Sequence, residues 1–196
     1  MRARKGPEIK LMSSDSQPVP PLSGHLLLAG PELLEATFRR TVVLISQHSA
    51  DEGALGYILN RPIHKRVQDL LPSEEFSGIG DVGVYFGGPV GKDHLTFAAL
   101  SWDAGTRSLA CRTHLSAAQA KALRLEGCEV RGFIGYSGWA PGQLEGELDA
   151  QAWEVQRPGS GEILENTSAD LWSRLIRQVS PLHRIAADMP DDLSLN

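Results

Sequence analysis

The chain reads as mixed α/β, one compact domain built on a mostly antiparallel sheet flanked by helices. Apolar β-branched segments outnumber helical ones, and many neighbouring segments are joined by short turns. No repeat of about 20 to 50 residues recurs, which excludes a solenoid or propeller. At roughly 150 residues per domain, 196 residues give room for one well-cored domain with tails.

Residues 1–21 mix charge with Ser13, Ser14, Ser16, Pro18, Pro20 and Pro21, so they are expected as a disordered leader ahead of a domain at 22–182. Residues 25–29 read as an apolar strand. Pro31 then stands where a first helical turn tolerates it, ahead of a short helix at 32–36. The β-branched run 41–45 and the segment 55–59 flank Asp51-Glu52-Gly53 as a hairpin, which Asn60-Arg61-Pro62 stops. A short helix at 67–71 ends at Pro72, and a polar loop leads into a strand at 82–86 closed by Gly87-Gly88-Pro89. Strands at 95–100 and 108–112 turn at Asp103-Ala104-Gly105. Ser116 caps a helix at 117–125 whose buried side is read as Ala120, Leu123 and Leu125, with Gly127 as its stop. A strand at 128–136, a helix at 141–148 opened by Pro141 and a closing strand at 152–156 follow. The last helix, 169–179, is capped by Ser168, stripes Leu171, Trp172, Leu175, Ile176 and Val179 along one side, and ends at Pro181. Residues 183–196 are expected as a loose acidic tail.

Composition narrows the function. Apolar residues make up 41% and charged residues 22%, the balance of a globular chain. Nineteen basic against twenty-four acidic residues give a net charge of -5, so the whole-molecule field repels phosphate polymers and no specific nucleic acid is expected as a partner. The basic clusters Arg39-Arg40 and Arg61, His64, Lys65, Arg66 lack the interleaved aromatics of a single-strand platform. Apolar runs fall short of the roughly 18 residues of a membrane helix, and the basic N-terminus lacks a signal peptide's apolar segment. No membrane partner is expected, and the cytoplasm is the default. Cys111 and Cys128 match no paired metal spacing, and the six histidines form no H-E-x-x-H, so neither a metal nor a cofactor is expected.

Two apparent motifs fail on context. Gly78-Ile79-Gly80-Asp81-Val82-Gly83 fits G-x-G-x-x-G, yet it follows a loop and enters a strand, the reverse of a dinucleotide fingerprint. Gly135-Tyr136-Ser137-Gly138-Trp139 puts a bulky indole where a nucleophile elbow needs glycine. Three segments ask for more than packing: Asn60-Arg61-Pro62, Phe86-Gly87-Gly88-Pro89-Val90, and the run from Gly135 to Glu145. Each ends a strand and concentrates Gly, Pro and polar groups, the setting in which α/β folds hold ligands. A shared cleft is therefore expected, formed by Asn60, Arg61, Gly87, Gly88, Pro89, Gly138, Trp139, Gln143 and Glu145, with His48 facing it from the hairpin turn. Arg61 and Glu145 are expected to pair, because unpaired charges beside Pro62 and Trp139 would be costly.

These same segments resemble the AlgH/YqgE family of bacterial proteins. The resemblance runs in order from Gly24-His25-Leu26-Leu27-Leu28-Ala29 through Phe38-Arg39-Arg40-Thr41-Val42-Val43, His48, Gly56-Tyr57-Ile58-Leu59-Asn60-Arg61-Pro62, Val84-Tyr85-Phe86-Gly87-Gly88-Pro89-Val90 and the Gly135 to Glu145 motif, into Trp153 and Leu171-Trp172. It implies a compact domain of mixed structure in a cytosolic bacterial setting, and it implies no reaction. The family pattern usually has Ala at position 137 and Gly at position 140, which weakens Ser137 as a nucleophile.

The favoured reading is a ligand- or protein-binding module, leaning away from an enzyme and with no catalytic residue assigned, whose occupant is a small molecule or another protein and whose role in regulation is indirect. Two alternatives stay open. One is a hydrolase of a phosphate or acyl substrate, with Arg61 on an anion, the amides of Gly87 and Gly88 as an oxyanion pocket, and His48 or Glu145 moving protons. The other is a DNA-binding transcriptional regulator.

Overall fold

The longest unbroken apolar runs become the strands buried on both faces, as runs of that kind must. The computed structural model describes residues 21–160, 162–165 and 170–189. In it β1 (Leu26–Ala29) and the first half of β2 (Val42–Ser49) are fully buried. β2 turns through Asp51-Glu52 into β3 (Gly53–Ile58), with His48 opposite Ala54 and Val43 opposite Ile58. β4 (Pro62–Arg66), α1 (Val67–Leu70), β5 (Gly83–Phe86), the long β6 (Val90–Asp103), β7 (Ser108–Leu115), α2 (Ala117–Leu125) and β8 (Glu129–Trp139) follow. The chain continues with α3 (Gln143–Asp149), β9 (Trp153–Gln156), α4 (Glu162–Glu165), α5 (Leu171–Ile176) and α6 (Pro181–Asp188). The strands order as β4-β5-β8-β3-β2-β1-β9, with β6 on β8 and β7 on β6. Among the described residues only β5 and β8 run parallel, so the mixed, mostly antiparallel sheet is as expected. Among the described residues no helix is long and apolar enough to cross a membrane.

β8 is where the sheet curls. Its first half pairs with β5 over Gly132 to Ile134, and its second half pairs with β3 over Ser137 to Trp139. Between them Gly135 adopts φ 68 and lets the strand bend. The Gly87-Gly88 turn fills the bend: the Gly87 amide donates to Ile134 O at 2.9 Å, and Ile58 N donates to Gly87 O at 3.0 Å. A Cβ at Gly88 would lie 2.3 Å from the Tyr136 carbonyl carbon, and one at Gly135 2.4 Å from Gly88 O. The two glycine motifs are therefore the two sides of one backbone crossing.

The main core joins β1, β2 and β3 to Trp172 and Ile176 of α5; a smaller one packs Ala117, Ala120 and Leu123 of α2 against Val84, Phe97 and Val130. α2 begins at Ser116, whose Oγ accepts Gln119 N in a capping box. Leu125, expected on its buried side, is 83% exposed, because two residues at 100° per step put it opposite Leu123.

Three expectations need correction and one is sharpened. Residues 32–36 form isolated turns, too short a segment to offset the cost of a helical nucleus. Asn60-Arg61-Pro62 does end the strand before it, β3 stopping at Ile58, and Pro62 then opens β4, an edge strand whose first position tolerates a missing N–H. Of the expected 169–179 helix, α5 spans Leu171–Ile176, while Ser168 and Ala169 lie outside the described residues. Pro181 begins α6 at a first-turn position, with Ser180 Oγ accepting His183 N, so residues 183–188 of the expected loose tail are helical. The leader at 1–20 and residues 190–196 lie outside the described residues.

Candidate functional site

A β-bulge between Ile45 and Gln47 resets β2, so that His48 lies beside Ala54 and across β3 from Trp139. The chain leaves β8 at Trp139, turns at Pro141-Gly142 and enters α3, where Gln143 Oε1 accepts the Ala140 amide at 3.1 Å. α3 thereby returns two carboxylates toward the strand ends. Glu145 Oε1 accepts from His48 Nε2 at 2.8 Å. Glu147 Oε2 accepts both indole N–H groups, Trp139 at 2.9 Å and Trp153 at 2.7 Å, while its Oε1 takes Gln143 Nε2 at 2.9 Å. Trp139 and Trp153 cross edge-on at 6.0 Å, and Phe38 meets Trp153 at 5.4 Å. Both indoles are buried. A buried N–H left unpaired costs about 1 to 3 kcal/mol, so one carboxylate secures two large core residues.

His48 uses both ring nitrogens. Leu22 N donates to Nδ1 at 3.0 Å, which fixes the tautomer with its proton on Nε2, directed at Glu145. The His48 side chain is 3% exposed and that of Glu145 29%. Partial burial pushes the Glu145 carboxyl up, but its own backbone hydrogen bond and His48 outweigh this and hold it below the usual carboxylate range.

Beside this pair opens a cleft of about 650 Å³, bounded by Ser46, Ser49, Glu52, Val90, Tyr136 and Gly138 among others. Leu55 and Trp139 also line it. Gly138 is exposed, so the groove crosses bare backbone there. Ser46 Oγ donates to Leu55 O at 3.0 Å, and Ser49 Oγ accepts Glu52 N at 3.1 Å.

Of the ten residues read from sequence, His48, Gly138 and Trp139 line this cleft, and Gln143 and Glu145 stand behind it on α3. Pro89 precedes Val90, which reaches the rim. Gly87 and Gly88 are buried in the β8 crossing. Asn60 is 1% exposed at the far end of β3, six residues or about 20 Å from Ala54. There its Oδ1 accepts Val42 N and its Nδ2 donates to Arg40 O, both at 2.9 Å. Arg61 Nη2 donates to Arg39 O at 2.6 Å. The three motif ends thus do not share one concavity, and Glu145 pairs with His48 rather than with Arg61. Ser137 is fully buried with its hydroxyl on Gly87 O at 3.2 Å, and burial pushes the Cys111 thiol up to about 12, so neither is placed as a nucleophile. Among the described residues no group of three metal-ligating side chains gathers. Glu147 was missed by sequence reasoning; its four-residue spacing from Gln143 on a helix was the available signal.

The family model described as AlgH-like matches residues 26–183. The chain belongs to the AlgH-like family. UPF0301 proteins of Mycobacterium tuberculosis and Mycobacterium ulcerans are 39% and 40% identical to it over 186 residues, covering 89% of this chain and 90% of theirs. The solution structure of the AlgH protein from Pseudomonas aeruginosa is similar with a TM-score of 0.61 at 25% identity, covering 92% of this chain and all of that one. A crystal structure of a protein from Corynebacterium diphtheriae shares the fold, with a TM-score of 0.62 at 23% identity over 87% of this chain and 94% of that one. The AlgH-like match spans β1 to α6, and so takes in the glycine crossing, the His48–Glu145 pair and the cleft.

Proposed function

We propose that this AlgH-like chain is a binding module without catalytic chemistry, and that its ligand or partner seats in the cleft over Gly138. One observation carries the reading: a cleft of ligand size, about 650 Å³, adjoins reactive group types that are already engaged in holding the fold. His48 bonds at both nitrogens, the Ser137 hydroxyl is buried against Gly87 O, and the Gly87 amide bonds to Ile134 O. A hydrolase using His48 as base would first have to break the Leu22 or Glu145 bond. A cytosolic setting and an indirect part in regulation belong to the same reading and rest on the family resemblance alone.

The test is an amide NMR titration of the full chain against a fragment library, with Gly138→Val as the blocked variant. Its Cβ would meet the Tyr136 ring at 3.2 Å, a contact the ring can yield to. Saturable shifts at Gln47, Leu55 and Gly138 that vanish in the variant support the reading. Shifts confined to other surfaces overturn it, as does turnover of a phosphate or acyl ester that His48→Gln abolishes.

A further inference from the structure

The donors and acceptors around the cleft restrict the charge of what it can hold, given the binding reading above. Glu52 is the one carboxylate among its lining residues, and no Lys or Arg is among them. Ser46 gives its proton to Leu55 O and so presents lone pairs. His48 has no N–H left to offer an anion, since Nδ1 accepts from Leu22 and Nε2 donates to Glu145. Glu145 adds a second carboxylate immediately behind the ring. Of nearby cations, Lys92 on β6 lies over the Phe86 ring at 5.9 Å, and Arg157 donates to His25. An anion entering here meets neutral donors alone among the lining side chains, those of Ser23, Gln47, Ser49 and Tyr136, with the Glu52 carboxylate against it, whereas a cation meets that carboxylate and the Ser46 hydroxyl oxygen. The apolar share of the lining, Leu55, Val90 and Tyr136, suits an aliphatic stem, and the Tyr136 ring suits an adjacent cation.

We infer that the cleft takes an alkylammonium group, the shared chemistry of a lysine side chain in a peptide and of a free aliphatic polyamine. The carboxylate of Glu52 is the counter-charge, and the stem lies across Gly138 between Leu55 and Val90.

The experiment titrates the full chain with cadaverine, with N-acetyl-lysine methylamide, and with glutarate, inorganic phosphate and pentanol as charge controls, following the Ser49, Leu55 and Gly138 amides. Both ammonium probes are expected to shift these amides saturably, and the tighter of the two identifies the source. Glu52→Gln should weaken them by about threefold or more, the scale of one exposed charge pair, and added salt should do the same. Glu52 is exposed at the hairpin turn, and among the described residues its carboxylate makes no hydrogen bond or ion pair that Gln would break. Glutarate, phosphate or pentanol binding at the cleft as tightly as the ammonium probes overturns the charge assignment while leaving the cleft a binding site. Undiminished ammonium binding in Glu52→Gln overturns it too, as does the absence of any ammonium-induced shift there.

Discussion

His48 donates through Nε2 to Glu145 Oε1 across 2.8 Å, and the same ring accepts the Leu22 amide at Nδ1. One imidazole therefore ties three distant segments: the entry to the domain, the bulged end of β2, and α3. A hydrogen bond to a charged group contributes about 1.5 to 3 kcal/mol when buried, and here one partner is nearly enclosed and the other partly exposed.

His48→Ala is therefore expected to cost about 2 kcal/mol in urea unfolding, since it also strands the Leu22 N–H. Glu145→Gln keeps an acceptor oxygen and should cost less than half of that. The His48→Ala, Glu145→Ala cycle should be non-additive by about 0.5 kcal/mol or more, and the Arg61→Ala, Glu145→Ala cycle additive. The reverse pattern would place Glu145 on the wrong partner.

Acid sensitivity has a separate origin. Hydrogen bonds from Arg124, both at 2.7 Å, hold the Asp81 carboxyl down at about 2. A carboxylate whose pKa is lowered by folding stabilises above its unfolded value, and that contribution fades as pH falls from about 4 toward 2. Asp81 is 55% exposed and Arg124 39%, so screening limits the pair to about 0.5 to 1 kcal/mol. Asp81→Asn should lose this amount at pH 7, and the gap to the parent should shrink to less than half of that near pH 2, as read by urea midpoints. A deficit as large at the lower pH as at pH 7 would deny the pair its role.

The glycine crossing can be separated from mere backbone strain. Gly135 and Gly127 both adopt positive φ, 68 and 91, but a Cβ at Gly127 meets nothing within 4 Å. Gly127→Ala should cost about 1 kcal/mol. Gly135→Ala adds a clash with Gly88 O in a layer where neither backbone can yield, and should cost about 3 kcal/mol or more. Equal losses in thermal unfolding would mean that the two strands do not approach as closely as the geometry requires.

That contrast also explains what was legible in the sequence. The α2 helix, the β2–β3 hairpin and the apolar central strands declare themselves locally, through Ser116 and Gln119, the Asp51-Glu52-Gly53 turn and the run at 42–45. That His48, Gly138, Trp139 and Glu145 come together is legible because they sit in strand-end motifs. Gly87, Gly88 and Asn60 were read as ligand contacts because a glycine that admits a ligand and a glycine that admits another strand look alike in sequence. Which it is depends on pairings such as Gly56 with Ser137, set by residues eighty positions apart. The Glu147 bridge between Trp139 and Trp153 is close in sequence, but it joins a strand end, a helix and the next strand, whose relative seating no single local pattern states.

Arg131 carries the last prediction. Its guanidinium is 1% exposed on β8, donates through Nη2 to Leu164 O at 2.5 Å and lies 5.1 Å from the Tyr85 ring. Nε is 3.6 Å from the half-exposed Glu129 carboxylate, beyond hydrogen-bond reach, and among the described residues both Nε and Nη1 are buried without a hydrogen-bond partner. Burial lowers the pKa of this group, a sign that the folded state bears a desolvation cost that one carbonyl, one ring and a half-exposed carboxylate offset only in part. An unbranched apolar side chain of similar length removes that cost and keeps the contact with Tyr85, at the expense of the Leu164 bond. Arg131→Met should therefore unfold within about 1 kcal/mol of the parent or above it, whereas Arg131→Ala, which opens a cavity beside Tyr85, should lose about 2 to 4 kcal/mol. Should Met lose as much as Ala in urea unfolding, the hydrogen bond to Leu164 outweighs desolvation, and the seating of α4 on the sheet depends on the charge itself.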